Sequence, residues 1–170
     1  MNLEMELDLT DLALKLNGAE YEQESFPGLI FRTKKPKSGI LIFHSGKIVC
    51  TGTKSLDQVE EVIALVVQNL RKAGVNIAKA PAFNVQNIVA SADLGQEINL
   101  NAVAVTLGLE RVEYEPEQFP GLVYRLDKPK VVVLLFGSGK LVCTGAKVEA
   151  DAAEAVDKIT EELKAAGLLK

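Results

Sequence analysis

The sequence predicts an α+β protein in which helices cover one face of a broad antiparallel sheet, and three observations support this fold class. A unit of about 90 residues occurs twice in the chain. Each copy contains short apolar stretches separated by tight-turn residues, which is typical of antiparallel strands. Each copy also ends in a stretch with apolar residues at helical spacing. With 170 residues, of which 48% are hydrophobic, the chain can form one domain or two small ones.

The repeat is clearest from Tyr21 onward. The segment YEQESFPGLIFR, which begins at Tyr21, recurs as YEPEQFPGLVYR at Tyr114, an offset of 93 residues. Over residues 21–54, 21 of 34 positions are identical in the two copies. The unit has therefore been duplicated, and the fold is expected to have pseudo-twofold symmetry. We predict a first repeat at residues 1–80 and a second at residues 81–170.

One strand pattern of the second copy has no counterpart in the first. The segment FNVQNIVASADL, residues 83–94, precedes the second copy, and with the offset of 93 the first copy begins at the position of Leu94. We expect that the natural protein has this first strand and that the present chain lacks it. Its absence leaves a strand edge open.

Helices flank the predicted strands in both copies. We expect short helices at residues 7–16 and 100–107, and a long helix after the strands of each copy. Ser55 and Gln58 form a capping box for the first long helix, and Gly74 ends it. The second long helix runs from about residue 150 to 166. Val148 replaces the capping serine there, so a frayed start is expected.

The strand patterns have apolar residues on both faces. Leu41 and Phe43 alternate with Ile40 and Ile42, and Val49 alternates with Ile48 and Cys50. Four helices can cover one face of the sheet, and nothing in the chain is left to cover the other. An uncovered apolar face in a protein of this composition marks a binding surface.

Charge is distributed unevenly along the chain. Residues 32–54 contain six basic residues and no acidic one, and residues 125–147 contain five basic and one acidic. These two segments together carry +10, so the remaining residues carry −14 and the net charge is −4. The net charge alone argues against nucleic acid, but strands that are basic beside an apolar face fit it well.

Several function classes are disfavoured by composition. The chain has one histidine, no tryptophan and no glycine-rich phosphate loop, so we expect no catalytic activity, no cofactor and no metal. Cys50 and Cys143 lack zinc-site spacing and are expected to be small buried residues. No apolar run approaches the length of a membrane span, and no membrane partner is expected.

At this point the motifs resemble those of the TATA-box-binding protein family, general transcription initiation factors of archaea and eukaryotes. The resemblance rests on EYEPEQFPGLVYRL, the Lys-Pro-Lys turns, LLFGSGKLVCTGAK and VQNIVASADL, and it covers essentially the whole chain. It implies one curved, saddle-shaped antiparallel sheet with helices on the convex face. The short N-terminus and the acidic balance look archaeal, which implies a cytoplasmic, nucleoid-associated protein, or a nuclear one if the host is eukaryotic.

The resemblance also implies roles for individual residues on AT-rich promoter DNA. Apolar wedges that kink the DNA in the minor groove are the known binding mode of this family. The intercalating pairs would be Phe26 with Phe43 and Phe119 with Phe136. The minor-groove floor and its polar centre would be Leu41, Val49, Thr51, Asn87, Val89, Leu134, Val142 and Thr144. The phosphate contacts would be Arg32, Ser45, Lys47, Lys54, Arg125, Ser138, Lys140 and Lys147.

Protein partners follow from the same resemblance. Glu115, Glu117 and Gln118, beside the Phe119-Pro120-Gly121 turn, correspond to the docking site of transcription factor B, through which RNA polymerase would be recruited indirectly. The sequence does not decide whether the chain forms a self-dimer that covers its apolar face in the absence of DNA.

Other interpretations remain available from the residues alone. The phenylalanines could be core residues, and the acidic turn could be a solvated one. His44, where the second copy has Gly137, is expected to be a turn residue. A binding module of the same fold that docks another protein or RNA on its open sheet is the alternative function.

Overall fold

The chain forms two compact units, Met1–Asn84 and Val85–Lys170, in a computed structural model that describes all 170 residues. The first unit contains α1 (Leu9–Lys15), β1 (Leu29–Lys34), β2 (Lys37–Ile42), β3 (Ile48–Thr51) and α2 (Leu56–Lys72). The second unit contains β4 (Ile88–Asp93), α3 (Leu100–Leu107), β5 (Val112–Glu113), β6 (Leu122–Asp127), β7 (Lys130–Leu135), β8 (Lys140–Ala146) and α4 (Glu149–Ala165).

Each unit has one antiparallel sheet, as the turn residues predict. The first sheet has the strand order β1-β2-β3, and the second has the order β4-β8-β7-β6-β5. In both units the predicted Lys-Pro-Lys segment connects two neighbouring strands, β1 to β2 and β6 to β7. Short connections of this kind restrict neighbouring strands to antiparallel pairing.

The core of the first unit lies between its sheet and α2. Ile40, Ile42 and Ile48 on the sheet are at most 2% exposed, and so are Val62 and Leu70 on α2. Leu41 and Val49 alternate with these core residues and lie outside the buried cluster. The sheet therefore has one face against the helices and a second face, called the open face below, that is uncovered within the unit.

The second unit has the same arrangement. Leu122, Val133 and Leu141 on its sheet are completely buried, together with Ile159 and Leu163 on α4. Cys143 is fully buried on this side, as predicted, whereas Cys50, also predicted to be buried, is only half-buried against the first core. Burial raises the pKa of both thiols, which keeps them in the neutral form that suits a core residue.

The first long helix begins as its capping residues predict. The Ser55 side chain accepts a hydrogen bond from the backbone N–H of Gln58 at 3.2 Å, and the Gln58 side chain accepts one from the N–H of Lys54 at 3.0 Å. Val148 precedes α4 and makes no side-chain capping bond. After α2, Gly74 adopts a φ of +95°, a left-handed conformation that glycine takes without strain.

The offset between the two copies changes before Tyr21. The N–H of Leu7 donates to the carbonyl of His44, and the N–H of Ile98 donates to that of Gly137. This equivalence gives an offset of 91 in the segment that contains α1, so the predicted alignment of the first residue with Leu94 is wrong by two positions. Met1 and Ile48 exchange two backbone hydrogen bonds of 2.9 Å, which correspond to the pairing of Ala92 with Leu141 at the end of β4.

The rest of β3 is an open sheet edge. In the second unit, β4 pairs with β8 from Ile88 to Asp93. In the first unit, residues after Ile48 on β3 have β2 on one side and no strand on the other. The backbone groups of this edge are free to pair with another strand.

A polar network that has no equivalent in the first unit joins the sheet of the second unit to α4. Tyr124 is fully buried, and its hydroxyl donates to Glu162 Oε2 at 2.9 Å. Arg111 lies 3.5 Å from the Glu162 carboxylate and 5.7 Å from the Tyr124 ring centre. Burial and the hydrogen bond to Glu162 raise the pKa of Tyr124 to about 12, so this hydroxyl remains a donor at neutral pH.

Candidate nucleic-acid interface

The open face of the first unit is apolar in the middle and polar toward its edges. Cross-strand pairing aligns Ile30, Leu41 and Val49 on β1, β2 and β3. The next row along the same face contains Arg32, Gly39 and Thr51. Val49 is 41% exposed, so part of this apolar row is accessible to a ligand.

The second unit presents the same rows and adds a strand. Val123, Leu134 and Val142 align across β6, β7 and β8, and Val142 pairs with Ser91 of β4. Val89 lies on the same face of β4 and is 62% exposed. The predicted floor residues are therefore together on one accessible surface in each unit.

Two phenylalanine pairs lie outside the cores, one in each unit. The ring centres of Phe26 and Phe43 are 5.9 Å apart at an interplanar angle of 63°, and those of Phe119 and Phe136 are 5.9 Å apart at 66°. None of the four is buried, and none belongs to a core cluster. The four phenylalanines are therefore not core residues. They form two accessible edge-to-face pairs at equivalent positions of the two units.

A side-chain amide and a hydroxyl meet on the open face of the second unit. Asn87 Nδ2 donates to Thr144 Oγ1 at 3.1 Å, and the N–H of Gly145 donates to Asn87 Oδ1 at 2.6 Å. These bonds orient the Asn87 amide and leave the Thr144 hydroxyl hydrogen free to donate elsewhere. In the first unit, Thr51 Oγ1 donates to the Gly39 carbonyl at 3.3 Å and has no amide partner.

The predicted basic residues fall into two groups. The four lysines among them are exposed and form no salt bridge, and they are Lys47, Lys54, Lys140 and Lys147. The two arginines are paired: Arg32 with Glu20 at 3.1 Å, and Arg125 with Glu113 at 2.7 Å. The free lysines are available to an anion without the loss of an existing partner.

Several of the predicted DNA-contacting side chains lie close together around the turn that follows Phe136. A cavity of about 560 Å³ opens there, and Phe136, Ser138, Lys140 and Val142 line it together with Ser91 and Asp93. Ser138 Oγ accepts a weak bond from the backbone N–H of Lys140 at 3.4 Å. Ser45 occupies the equivalent exposed turn of the first unit.

His44 is a turn residue, as expected. Its Nδ1 lies 2.7 Å from the Leu7 carbonyl and donates to it, and its Nε2 lies 4.0 Å from Glu6. No group of three or more His, Cys, Asp or Glu side chains is arranged to hold a metal ion. No helix combines the length and the apolar character that a membrane crossing requires.

The chain matches a known protein family over most of its length. A family model described as "Transcription factor TFIID (or TATA-binding protein, TBP)" matches residues 1–73 and 82–166. The chain belongs to the TATA-binding protein family.

Individual members of the TATA-binding protein family are similar over nearly the whole chain. TATA-box-binding protein E of Halobacterium salinarum is 61% identical over 164 residues, which cover 96% of this chain and 88% of that protein. The TATA-box-binding protein of Archaeoglobus fulgidus is 53% identical over 163 residues, 96% of this chain and 89% of that protein. The solved structure of Methanococcus jannaschii TBP matches with a TM-score of 0.83 at 52% identity, over 94% of this chain and 90% of that one. The predicted α+β fold of the TATA-binding protein family is confirmed.

The acidic turn of this TATA-binding protein family member is exposed and locally ordered. Glu115, Glu117 and Gln118 are all exposed, and the Glu115 carbonyl accepts hydrogen bonds from the N–H groups of Gln118 and Phe119. The first unit repeats this turn, since the Glu22 carbonyl accepts from Phe26 at 2.9 Å. The two turns hold their following phenylalanines in the same way.

The acidic partners of the two open-face arginines are absent from the set predicted from sequence. They are Glu20 and Glu113, the partners of Arg32 and Arg125. The spacing of 12 residues between acid and arginine is the same in both copies, and this recurrence is the signal from which the pairs could have been predicted.

Proposed function

We propose that this protein is a general transcription initiation factor that binds AT-rich TATA-box DNA in the minor groove. The observation that carries the proposal is the recurrence, in both units, of an accessible edge-to-face phenylalanine pair beside an apolar open face. The names of its relatives, which are TATA-box-binding proteins, support the same assignment. No catalytic step is assigned, and the DNA-associated location would be the archaeal cytoplasm.

Wedge insertion is the role we assign to the phenylalanines. Aromatic rings at the margin of an apolar surface can enter a base step, at a cost of about a few kcal/mol for unstacking, which is offset by the contact area that the bent DNA gains. Phe119 is 39% exposed before any ligand binds, so little rearrangement of the protein is needed. The apolar rows that contain Leu41 and Leu134 would pack on sugars and base edges.

The polar centre accounts for a preference for A·T pairs. The minor groove of A·T and T·A pairs offers only acceptors, adenine N3 and thymine O2, whereas G·C adds an amino donor. The free hydroxyl hydrogen of Thr144 can donate to such an acceptor, while Asn87 keeps that hydroxyl in place. This arrangement favours A·T over G·C and distinguishes A·T from T·A only weakly.

The exposed basic residues would contact phosphates. Lys47, Lys54, Lys140 and Lys147 supply charge without existing partners, and Ser45 and Ser138 supply hydroxyl groups in the adjacent turns. Phosphate contacts position a protein on DNA and carry no sequence information. They therefore add affinity and salt dependence to the selectivity of the floor.

Transcription factor B is the protein partner we propose, with Glu115, Glu117 and Gln118 as its docking site. Their exposure beside the Phe119 turn supports a role in contacts with a basic partner surface. Glu115→Arg should reduce recruitment of transcription factor B to a promoter, and indirectly that of RNA polymerase, without affecting DNA binding. Loss of both activities would contradict a separate docking site.

The experiment that tests the DNA-binding proposal is a titration of the protein on an AT-rich and a GC-rich duplex of equal length at several salt concentrations. We expect tighter binding to the AT-rich duplex at every salt concentration. Equal affinities would contradict minor-groove readout. Preferential binding of an RNA or a protein on the open face would favour the alternative function.

A further inference from the structure

On each open face an arginine pairs with an acidic side chain of a neighbouring segment, and this pair is the same in both units. Glu20 Oε1 accepts a hydrogen bond from Arg32 Nη1 at 3.1 Å, and Glu113 Oε1 accepts one from Arg125 Nη1 at 2.7 Å. All four side chains are more than half exposed. Because two units reproduce the contact, it is a property of the repeat and not of one local surface.

The position of the two carboxylates is unusual for a DNA-binding surface. Glu20 lies opposite Ile30, and Glu113 lies opposite Val123, so both acids stand beside the apolar rows of the open faces. A carboxylate that approaches phosphate is repelled unless a neighbouring cation neutralises it. Arg32 and Arg125 are those cations.

The geometry of each pair leaves the arginine able to bind a second anion. Only Nη1 of each guanidinium is engaged, by one carboxylate oxygen, and neither guanidinium makes another hydrogen bond. A guanidinium has five donors in a planar fork, so Nη2 and Nε remain available. The side chain can therefore keep its carboxylate and contact a phosphate at the same time.

We propose that Glu20 and Glu113 are positioning residues, which orient Arg32 and Arg125 toward phosphate and reduce the positive charge that these arginines present. The inference rests on the proposed DNA binding. Salt dependence arises because each neutralised phosphate releases condensed counterions. An arginine already paired with a carboxylate neutralises a phosphate less completely than a free lysine, so these two contacts make binding less sensitive to salt.

The variant that tests the proposal is Glu20→Gln with Glu113→Gln. Glutamine retains an oxygen that accepts from Arg Nη1, so the orientation of the arginine is maintained while the negative charge is removed. We expect affinity for an AT-rich duplex to rise by about twofold to fivefold at low salt. The plot of log affinity against log salt should become steeper, by up to about one for each substituted site.

Two comparisons separate this local effect from other causes. Glu61→Gln with Glu161→Gln changes the net charge equally on α2 and α4, where both residues are exposed, and should leave the salt slope unchanged. In a protein that already carries Arg32→Gln and Arg125→Gln, the same two glutamate substitutions should give no gain in affinity. A gain that persists without the arginines would overturn the proposal, because the acids would then act on phosphate directly.

The wild-type titration separates failure of this inference from failure of the proposed function. If the wild type does not prefer the AT-rich duplex, the proposed function is wrong. If it does, and the slopes of wild type, paired-acid variant and helix control are the same, the proposed reduction of the charge of Arg32 and Arg125 by Glu20 and Glu113 is wrong and the proposed function stands.

Discussion

Gly28 and Gly121 allow the phenylalanine pairs to form because a side chain at either position would collide with the rings. Neither glycine has the positive φ that would require glycine for backbone reasons. A Cβ at Gly121 would lie 2.7 Å from Phe119 Cε1 and 3.0 Å from Phe136 Cε1. A Cβ at Gly28 would meet its two rings at 2.8 and 3.0 Å. The distances of 2.7 and 2.8 Å are shorter than real contacts allow, and those of 3.0 Å are tighter than most, so the rings would have to move away. The glycines in the two Phe-Pro-Gly turns thus specify the ring geometry.

Gly121→Ala should weaken DNA bending while leaving the protein folded. The displaced rings lie outside the core, so we expect the free energy of unfolding to change by less than about 1 kcal/mol. Affinity for an AT-rich duplex should fall by about threefold to tenfold, because the edge-to-face arrangement of the pair is lost. Fluorescence energy transfer across an end-labelled duplex measures the bend, and thermal unfolding measures the stability.

Gly137→Ala is the matched control for that substitution. Gly137 follows Phe136, and a Cβ there would lie 3.8 Å from the Ile98 carbonyl, which is an ordinary contact. The first unit already has His44 at this position. If Gly137→Ala reduces the bend as much as Gly121→Ala does, displacement of the rings is not the cause.

Tyr124→Phe should remove a pH dependence of the free energy of unfolding that the second unit has and the first lacks. At neutral pH we expect the substitution to lower the free energy of unfolding by about 1 kcal/mol, because Glu162 loses a donor. The raised pKa of Tyr124, about 12 against 10.0, means that the folded state holds this proton more tightly than the unfolded state. The contribution is therefore complete below pH 10 and is lost as the pH rises toward 12.

Denaturant unfolding at a series of pH values between 8 and about 12 measures this effect. The difference in free energy of unfolding between wild type and Tyr124→Phe should shrink over the upper part of that range. Phe31, the counterpart of Tyr124, shows that the fold accepts phenylalanine at this position. A difference that stays constant up to pH 12 would contradict the assigned role of the hydroxyl.

The sequence correctly predicts which side chains are exposed, because exposure follows from alternation along a single strand. It does not predict contacts between side chains that are distant in the sequence. The alternation of Leu41 and Phe43 with Ile40 and Ile42 correctly separated the open face from the core. The partners of Arg32 and Arg125 were missed because a cross-strand contact depends on register. The basic segments also begin at these arginines, so a sum of charges over them leaves out Glu20 and Glu113.

At the scale of elements, the free edge of β3 is the clearest difference between the two units. The second unit fills the equivalent edge of β8 with β4, and the pairs Ser91 with Val142 and Ala90 with Cys143 show which residues suit this position. The equivalent partners on β3 are Val49 and Cys50. A strand beside them would pair free backbone groups and cover an apolar side chain.

Addition of residues 84–91 directly before Met1 should therefore stabilise the first unit. Because Met1 corresponds to Ala92, this extension would bring a copy of Ser91 opposite Val49 in the register of the second unit. We expect a gain of about 2 kcal/mol and a rise in Tm of roughly 5 °C, which calorimetry can detect. An extension of equal length with two prolines is the control, because proline lacks the N–H that the ladder needs. Equal Tm values for both extensions would contradict strand addition.

Most elements were predictable because their signals are local. The capping pair at Ser55 and Gln58 correctly located the start of α2, and turn residues correctly located the strand connections. The change of offset from 93 to 91 was not predictable in this way. The copies are highly similar only after Tyr21, so the register of the earlier segment is determined by backbone bonds such as that of Leu7 to His44.

For the molecule as a whole, the distribution of charge matters more than its sum. The net charge is −4, yet the two segments that supply most of each sheet carry +10. The opposing negative charge is spread over the rest of the chain, including the N-terminal segment, the two acidic turns and the long helices; in α4 the acidic residues include Glu149, Glu154, Asp157 and Glu161. A protein with this arrangement attracts phosphate to its sheets while its overall charge opposes nonspecific binding to DNA.

Substituting the phenylalanine wedges and the phosphate-contacting lysine in separate variants should consequently distinguish the effect of ring insertion on DNA binding from the effect of charge. Phe119→Ala with Phe136→Ala removes one exposed ring pair and no charge, so the DNA bend and the affinity should both fall while the salt slope stays close to that of wild type. Lys140→Ala removes one unpaired charge beside the same rings. It should weaken AT-rich and GC-rich binding alike and reduce the magnitude of the salt slope by about one.

Salt-dependent titrations and bend measurements on the same duplexes distinguish these effects, because slope reports phosphate contacts and bend reports base-step insertion. Ser138 lies between the two sites on the same turn, so a general disturbance of that turn would change slope and bend together in both variants. A bend that is unchanged in the double phenylalanine variant would refute the wedge assignment. A Lys140→Ala variant that loses affinity only for the AT-rich duplex would show that this lysine reads sequence, because a contact to phosphate alone cannot tell the two duplexes apart.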